Sequence, residues 1–73
     1  MYQIKYISSR DTYQIHSSRQ GAFEGSIKEI TLKAIKMGIT QEELTLAYLD
    51  MAENKHSVAE FDIYGRYIFT KKK

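Results

Sequence analysis

Histidine is the residue type that exchanges protons near neutral pH, and this chain has two, His16 and His56, with no cysteine beside them. The lack of cysteine excludes disulfides, thiolate metal sites and thiol nucleophiles. Neither histidine stands in a spacing that an activated serine or a zinc hydrolase needs, since G-x-S-x-G, S-x-x-K and H-E-x-x-H do not occur. No catalytic residue is assigned and no cofactor is expected. Glu53-Asn54-Lys55-His56 spells E-x-x-H, with Asp50 one helical turn earlier. A di-iron site would need a second such motif and further glutamates from other helices, so no metal site is expected.

Anions are the next chemistry to consider. Ser17-Ser18-Arg19-Gln20-Gly21 is a polar stretch ahead of a predicted helix, where backbone N–H groups attract negative charge. Arg19 and Lys28 mark the first place to look for a bound anion. A broader basic surface would combine Lys5, Arg66 and the lysines from Lys71 onward with His16 and Tyr64, which supplies charge and stacking for nucleic acid. Ala34-x-x-x-Gly38-Ile39-Thr40-x-x-x-Leu44-x-x-Ala47 also has the spacing of a helix-turn-helix, with a following hairpin as its wing. The residues that such a helix would send into a groove include Glu42 and Glu43 but no Lys or Arg, and phosphates repel them.

Behind these side chains stand elements that the hydropathy pattern predicts. Tyr2, Ile4 and Tyr6 alternate with polar residues, as do Tyr13 and Ile15, so two strands over about 2–7 and 12–17 form a hairpin. Residues 18–25, with two glycines and little periodicity, predict a loop. Ser26 and Glu29 form a capping box for a first helix, whose stripe is Ile27, Ile30, Ala34 and Met37, widened by Thr31 and Ile35. Thr40 and Glu43 form a second box for a helix running to about Asn54. Leu44, Ala47, Tyr48, Met51 and Ala52 of that helix should face the core, and Leu46 falls nearly opposite them. Ala59, Phe61 and Ile63, a turn at Tyr64-Gly65-Arg66, then Tyr67 and Phe69 predict a second hairpin. The expected fold is α+β in β-β-α-α-β-β order, an antiparallel four-stranded sheet of two hairpins with both helices on one face. It forms one domain over residues 1–73, with 71–73 as a frayed basic tail.

A chain of 73 residues makes one small core, worth roughly 3 to 5 kcal/mol without a staple or partner. Association, including a homodimer, is the remaining source of stability. Gln3 and Lys5 interrupt what a secretion leader would keep apolar, and no apolar run reaches the roughly 18 to 20 residues of a membrane span. A cytoplasmic location away from membranes is expected. The net charge of +2 hides an uneven spread, since residues 37–60 carry one basic and five acidic groups. The second helix therefore presents an acidic face, Glu42, Glu43, Asp50 and Glu53, around a stranded Leu46. Charged rims around apolar anchors select protein partners. The leading expectation is a non-enzymatic module that binds another protein, as an inhibitor or adaptor of the kind that phage and mobile-element genomes encode. The alternative is nucleic-acid binding through the basic sheet face and tail.

Overall fold

Alternation of apolar and polar side chains sets the centre of the fold. In the computed structural model, which describes residues 1–68, Tyr2–Ile7 forms β1 and Thr12–Ser17 forms β2. They pair antiparallel with Ile4 opposite Ile15 and Tyr6 opposite Tyr13. Side chains alternate between the faces of a strand, so this register gathers Tyr2, Ile4, Tyr6, Tyr13 and Ile15 on one face, where both isoleucines are fully buried. The turn between the strands has no glycine. Asp11 takes its left-handed position at φ 53°, a conformation Asp tolerates better than most residues. Its carboxylate accepts a 2.8 Å hydrogen bond from the Tyr6 hydroxyl.

The chain then departs from the predicted loop, because Gly21–Gly25 forms a strand, β3, antiparallel to β2 with Phe23 opposite Ile15. The reason it reads as a loop is physical. On the inner face the strand offers only Phe23 between two glycines, too few side chains for a period-two signal. α1 (Ile27–Lys36) follows, and its Ser26–Glu29 capping box is complete, each residue's side chain accepting from the other's N–H. α2 (Gln41–Asn54) starts with Thr40 accepting from the Glu43 N–H at 3.3 Å. β4 (Val58–Phe61) and β5 (Tyr67–Ile68) complete the described chain.

Among the described residues the order is thus β-β-β-α-α-β-β and the sheet has five antiparallel strands ordered β3-β2-β1-β4-β5, where four strands are predicted. The fold class, α+β with two helices and an antiparallel sheet, is as expected. Ile30 and Ala34 of α1, Ile39 of the connection, and Leu44, Ala47 and Met51 of α2 share one core with Ile4, Ile15, Ala59 and Phe61. α1 lies against β2 and β3, and α2 against β4 and β5. The helix-turn-helix spacing is absorbed here, for Ala34, Ile39, Leu44 and Ala47 are all core residues.

Several predicted core positions lie outside it. Ile27, Ile35 and Ala52 are exposed, and Ile63 sits in the open turn between β4 and β5. β4 ends at Phe61 because the Asp62 carboxylate accepts from the N–H groups of Tyr64 and Arg66, which closes the turn two residues earlier than the alternation suggests. Phe69 and the basic 71–73 tail lie outside the described residues. Among the described residues no helix is long and apolar enough to cross a membrane.

Candidate functional site

The four carboxylates of α2 divide into two pairs. Glu43 is not free: its carboxylate accepts the backbone N–H of Tyr67 at 2.7 Å, so it holds β5 to the helix instead of closing the predicted capping box. Asp50 accepts the Tyr67 hydroxyl and the Asn54 side-chain amide, and its carboxylate lies 3.7 Å from His56 Nδ1. The Tyr67 hydrogen bond holds the Asp50 carboxyl below its ordinary range, against the opposing effect of partial burial. Burial first, and then the Asp50 carboxylate, push the Tyr67 phenol upward. Glu42 and Glu53 are exposed and have no partner among the described residues. The E-x-x-H spacing brings Asp50, not Glu53, toward His56.

Leu46 is exposed, as its position opposite the core predicts, and it has company the pattern did not single out. Leu32 is 56% exposed, Ile35 43%, Leu46 54% and Leu49 52%. The Thr31 and Tyr48 hydroxyls share a 2.8 Å hydrogen bond between the middles of the two helices. With the core stripes of both helices turned to the sheet, these aliphatic side chains belong to the outer surface of the helical layer. Monomeric proteins scatter single exposed apolar residues, whereas a group of them marks a contact surface. A helical wheel finds Leu46 because it opposes Leu44, Ala47 and Met51. Leu49 opposes the same stripe as fully as Leu46, so the wheel also offers it, whereas Ile35 falls at the border of the α1 stripe, where one sequence alone does not separate inside from outside.

The basic set is dispersed. Lys5 projects from the exposed face of the sheet, Arg19 sits in the β2–β3 turn, Lys28 in the first turn of α1 and Arg66 in the β4–β5 turn. Arg19 and Lys28 lie beyond opposite ends of β3 and do not share an anion site. The N–H groups of Arg19 and Gln20 already donate to the buried Ser17 hydroxyl, at 3.2 and 3.3 Å. Lys71 lies outside the described residues. The open face of the sheet has acidic members too, Glu60 beside Gln3 at 3.4 Å and Glu24 clamped by Arg10 at 2.8 and 2.9 Å.

A cleft of about 550 Å³ opens where the start of α1 and the end of α2 meet β1 and β2. Tyr6, Tyr13 and Tyr48 wall it, with Lys55 and His56 at the helix end. The three rings lean on one another, with centroids 5.0 Å apart for Tyr6 and Tyr13 and 6.2 Å for Tyr13 and Tyr48. Tyr6 and Tyr48 already spend their hydroxyls on Asp11 and Thr31. These tyrosines, counted as core by strand alternation for Tyr6 and Tyr13 and by the helical stripe for Tyr48, are the half-buried rim of that core.

The chain matches no protein-family model, no curated protein and no solved structure.

Proposed function

We propose that this chain is a small protein-binding module whose working surface is the outer side of its helical layer. Leu32, Ile35, Leu46 and Leu49 supply the apolar contact, and Glu42 and Glu53 form its acidic rim. Glu43 and Asp50, taken from the sequence as part of the same acidic face, serve instead to fasten β5. One observation carries this reading: the two helices leave five large aliphatic side chains in solvent, and four of them, Leu32, Ile35, Leu46 and Leu49, are turned away from the sheet. Burying such a side chain in a partner is worth roughly 1.5 to 3 kcal/mol, so a few of them suffice for specific recognition, either blocking a target or bridging two. Nucleic-acid binding draws less support, because its cations are spread over turns, α1 and the sheet, and Lys5, the one on the sheet, shares the open face with Glu24 and Glu60.

The reading is tested with the double variant Leu32→Ser, Leu46→Ser. Both positions are exposed, so circular dichroism should match the parent. Affinity capture from a lysate of the cells that express the chain should lose the proteins the parent retains. An unchanged set of retained proteins, with the fold intact, overturns it.

A further inference from the structure

Once the charges engaged inside the molecule are set aside, the two helices carry opposite signs. On α1, Glu29 is held in the Ser26 cap and the Lys33 ammonium lies 3.9 Å over the Phe23 ring. This leaves Lys28 and Lys36, both exposed and without a partner among the described residues. On α2, Glu43 and Asp50 are bound to Tyr67, which leaves Glu42 and Glu53. The free lysines and the free glutamates flank the same aliphatic side chains that make the proposed surface.

The two sets also share the spacing of their first three members. In α1 a lysine, Lys28, precedes Leu32 by four residues, and Ile35 follows by three. In α2 a glutamate, Glu42, precedes Leu46 by four, and Leu49 follows by three. Lys36 and Glu53 close the two frames. At 1.5 Å per residue, the lysines stand about 12 Å apart along their helix and the glutamates about 16 Å along theirs. Residues three and four apart share one side of a helix, so each helix offers an apolar pair bracketed by charge of a single sign. A surface built this way is complementary to itself.

We infer that the partner is a second copy of this chain, with α1 of each copy laid on α2 of the other about a two-fold axis. Symmetry repeats the contact: Leu32 and Ile35 meet Leu46 and Leu49 twice, and each lysine pair faces a glutamate pair. This inference rests on the helix-face reading and names its occupant. Rim charges of this kind set register and partner choice more than affinity, while the aliphatic side chains supply the binding energy.

Sedimentation of the full chain over a concentration series tests it. The parent is expected to show a monomer–dimer equilibrium that weakens as salt rises. Lys28→Glu with Lys36→Glu, and separately Glu42→Lys with Glu53→Lys, should each weaken self-association on the order of tenfold or more, because like charges then face each other. An equimolar mixture of the two variants should recover association. In that pair the new glutamates of one copy meet the new lysines of the other, and the remaining half of the interface is native. Should a reversal disturb the fold by circular dichroism, Leu49→Ser supplies a second arm and should also weaken the dimer. A parent that stays monomeric to its solubility limit, or a dimer that neither reversal, their mixture nor Leu49→Ser alters, overturns the inference. If the parent is monomeric but Leu32→Ser, Leu46→Ser still abolishes capture of other proteins, the second copy is excluded and the helix-face reading stands. If that capture is unaffected as well, both fall.

Discussion

Tyr67 meets α2 with its backbone and its side chain, giving an N–H to Glu43 and a hydroxyl to Asp50. Tyr67→Phe removes the second of these bonds and keeps the ring contact with Phe61, whose centroid is 5.7 Å away. The expected loss is about 1 kcal/mol, read as a lower urea midpoint with an unchanged slope. The same bond makes stability depend on pH. Asp50 and Glu24 both ionise more readily in the folded chain than in the unfolded one, the first through Tyr67 and the second through Arg10 and Thr12. A depressed carboxyl stabilises above its unfolded pKa, and that contribution drains away as pH falls through the folded value. The melting temperature should therefore drop below about pH 4, and Asp50→Asn should make that acid limb shallower. Spacing alone made Thr40 and Glu43 a capping box, and half of it forms. The other half fails because Glu43 finds a backbone donor 24 residues away, which no local motif can reveal.

Among the elements, those whose side chains alternate or recur strongly are legible: β1, β2 and both helices are where the hydropathy pattern puts them, and β4 is found but ends at Phe61, short of Ile63. β3 is not, since a strand carrying one aromatic residue between glycines looks like a linker until β2 is there to pair with it. The glycines of the two hairpin turns differ in a way that sequence cannot show. Gly21 and Gly65 both have positive φ, 85° and 81°, but a Cβ at Gly21 would meet open space. At Gly65 it would stand 2.9 Å from the Gly38 carbonyl oxygen. A left-handed backbone costs a residue with a Cβ roughly 1 to 2 kcal/mol. Gly21→Ala should lose about that much. Gly65→Ala should lose more, because the β4–β5 turn must also move away from the α1–α2 connection. Paired thermal melts of the two variants check the order. The candidate surface was legible only in part: Leu46 opposes the core stripe cleanly, whereas sorting Glu42 and Glu53 from Glu43 and Asp50 requires knowing where β5 lies.

Across the molecule, ten buried apolar side chains among the described residues make the core, and Phe61 is the bulkiest of those that are fully enclosed. Phe61→Ala costs about 3 to 5 kcal/mol in a packed interior, as much as the roughly 3 to 5 kcal/mol a core of this size supplies. The variant should be largely unfolded at room temperature, seen as loss of amide dispersion in its NMR spectrum. Leu46→Ser, at an exposed position, should shift stability by no more than about 0.5 kcal/mol. The contrast separates residues that hold the fold from those that meet a partner. A partner that binds only the folded state adds its binding energy to the stability of a chain this small.

β1 lies in the middle of the sheet, hydrogen-bonded on one side to β2 and on the other to β4, whose Glu60 stands 57 positions beyond Gln3. During synthesis β2 and β3 can zip onto β1 early, yet the other edge of that ribbon stays bare until residues 58–61 have left the ribosome. Closing so distant a pair is slow relative to local pairing, and a half-built sheet with an open flank invites a neighbouring nascent chain to take the empty place. Until β4 arrives, the free flank of β1 is the place where another copy of the chain can pair.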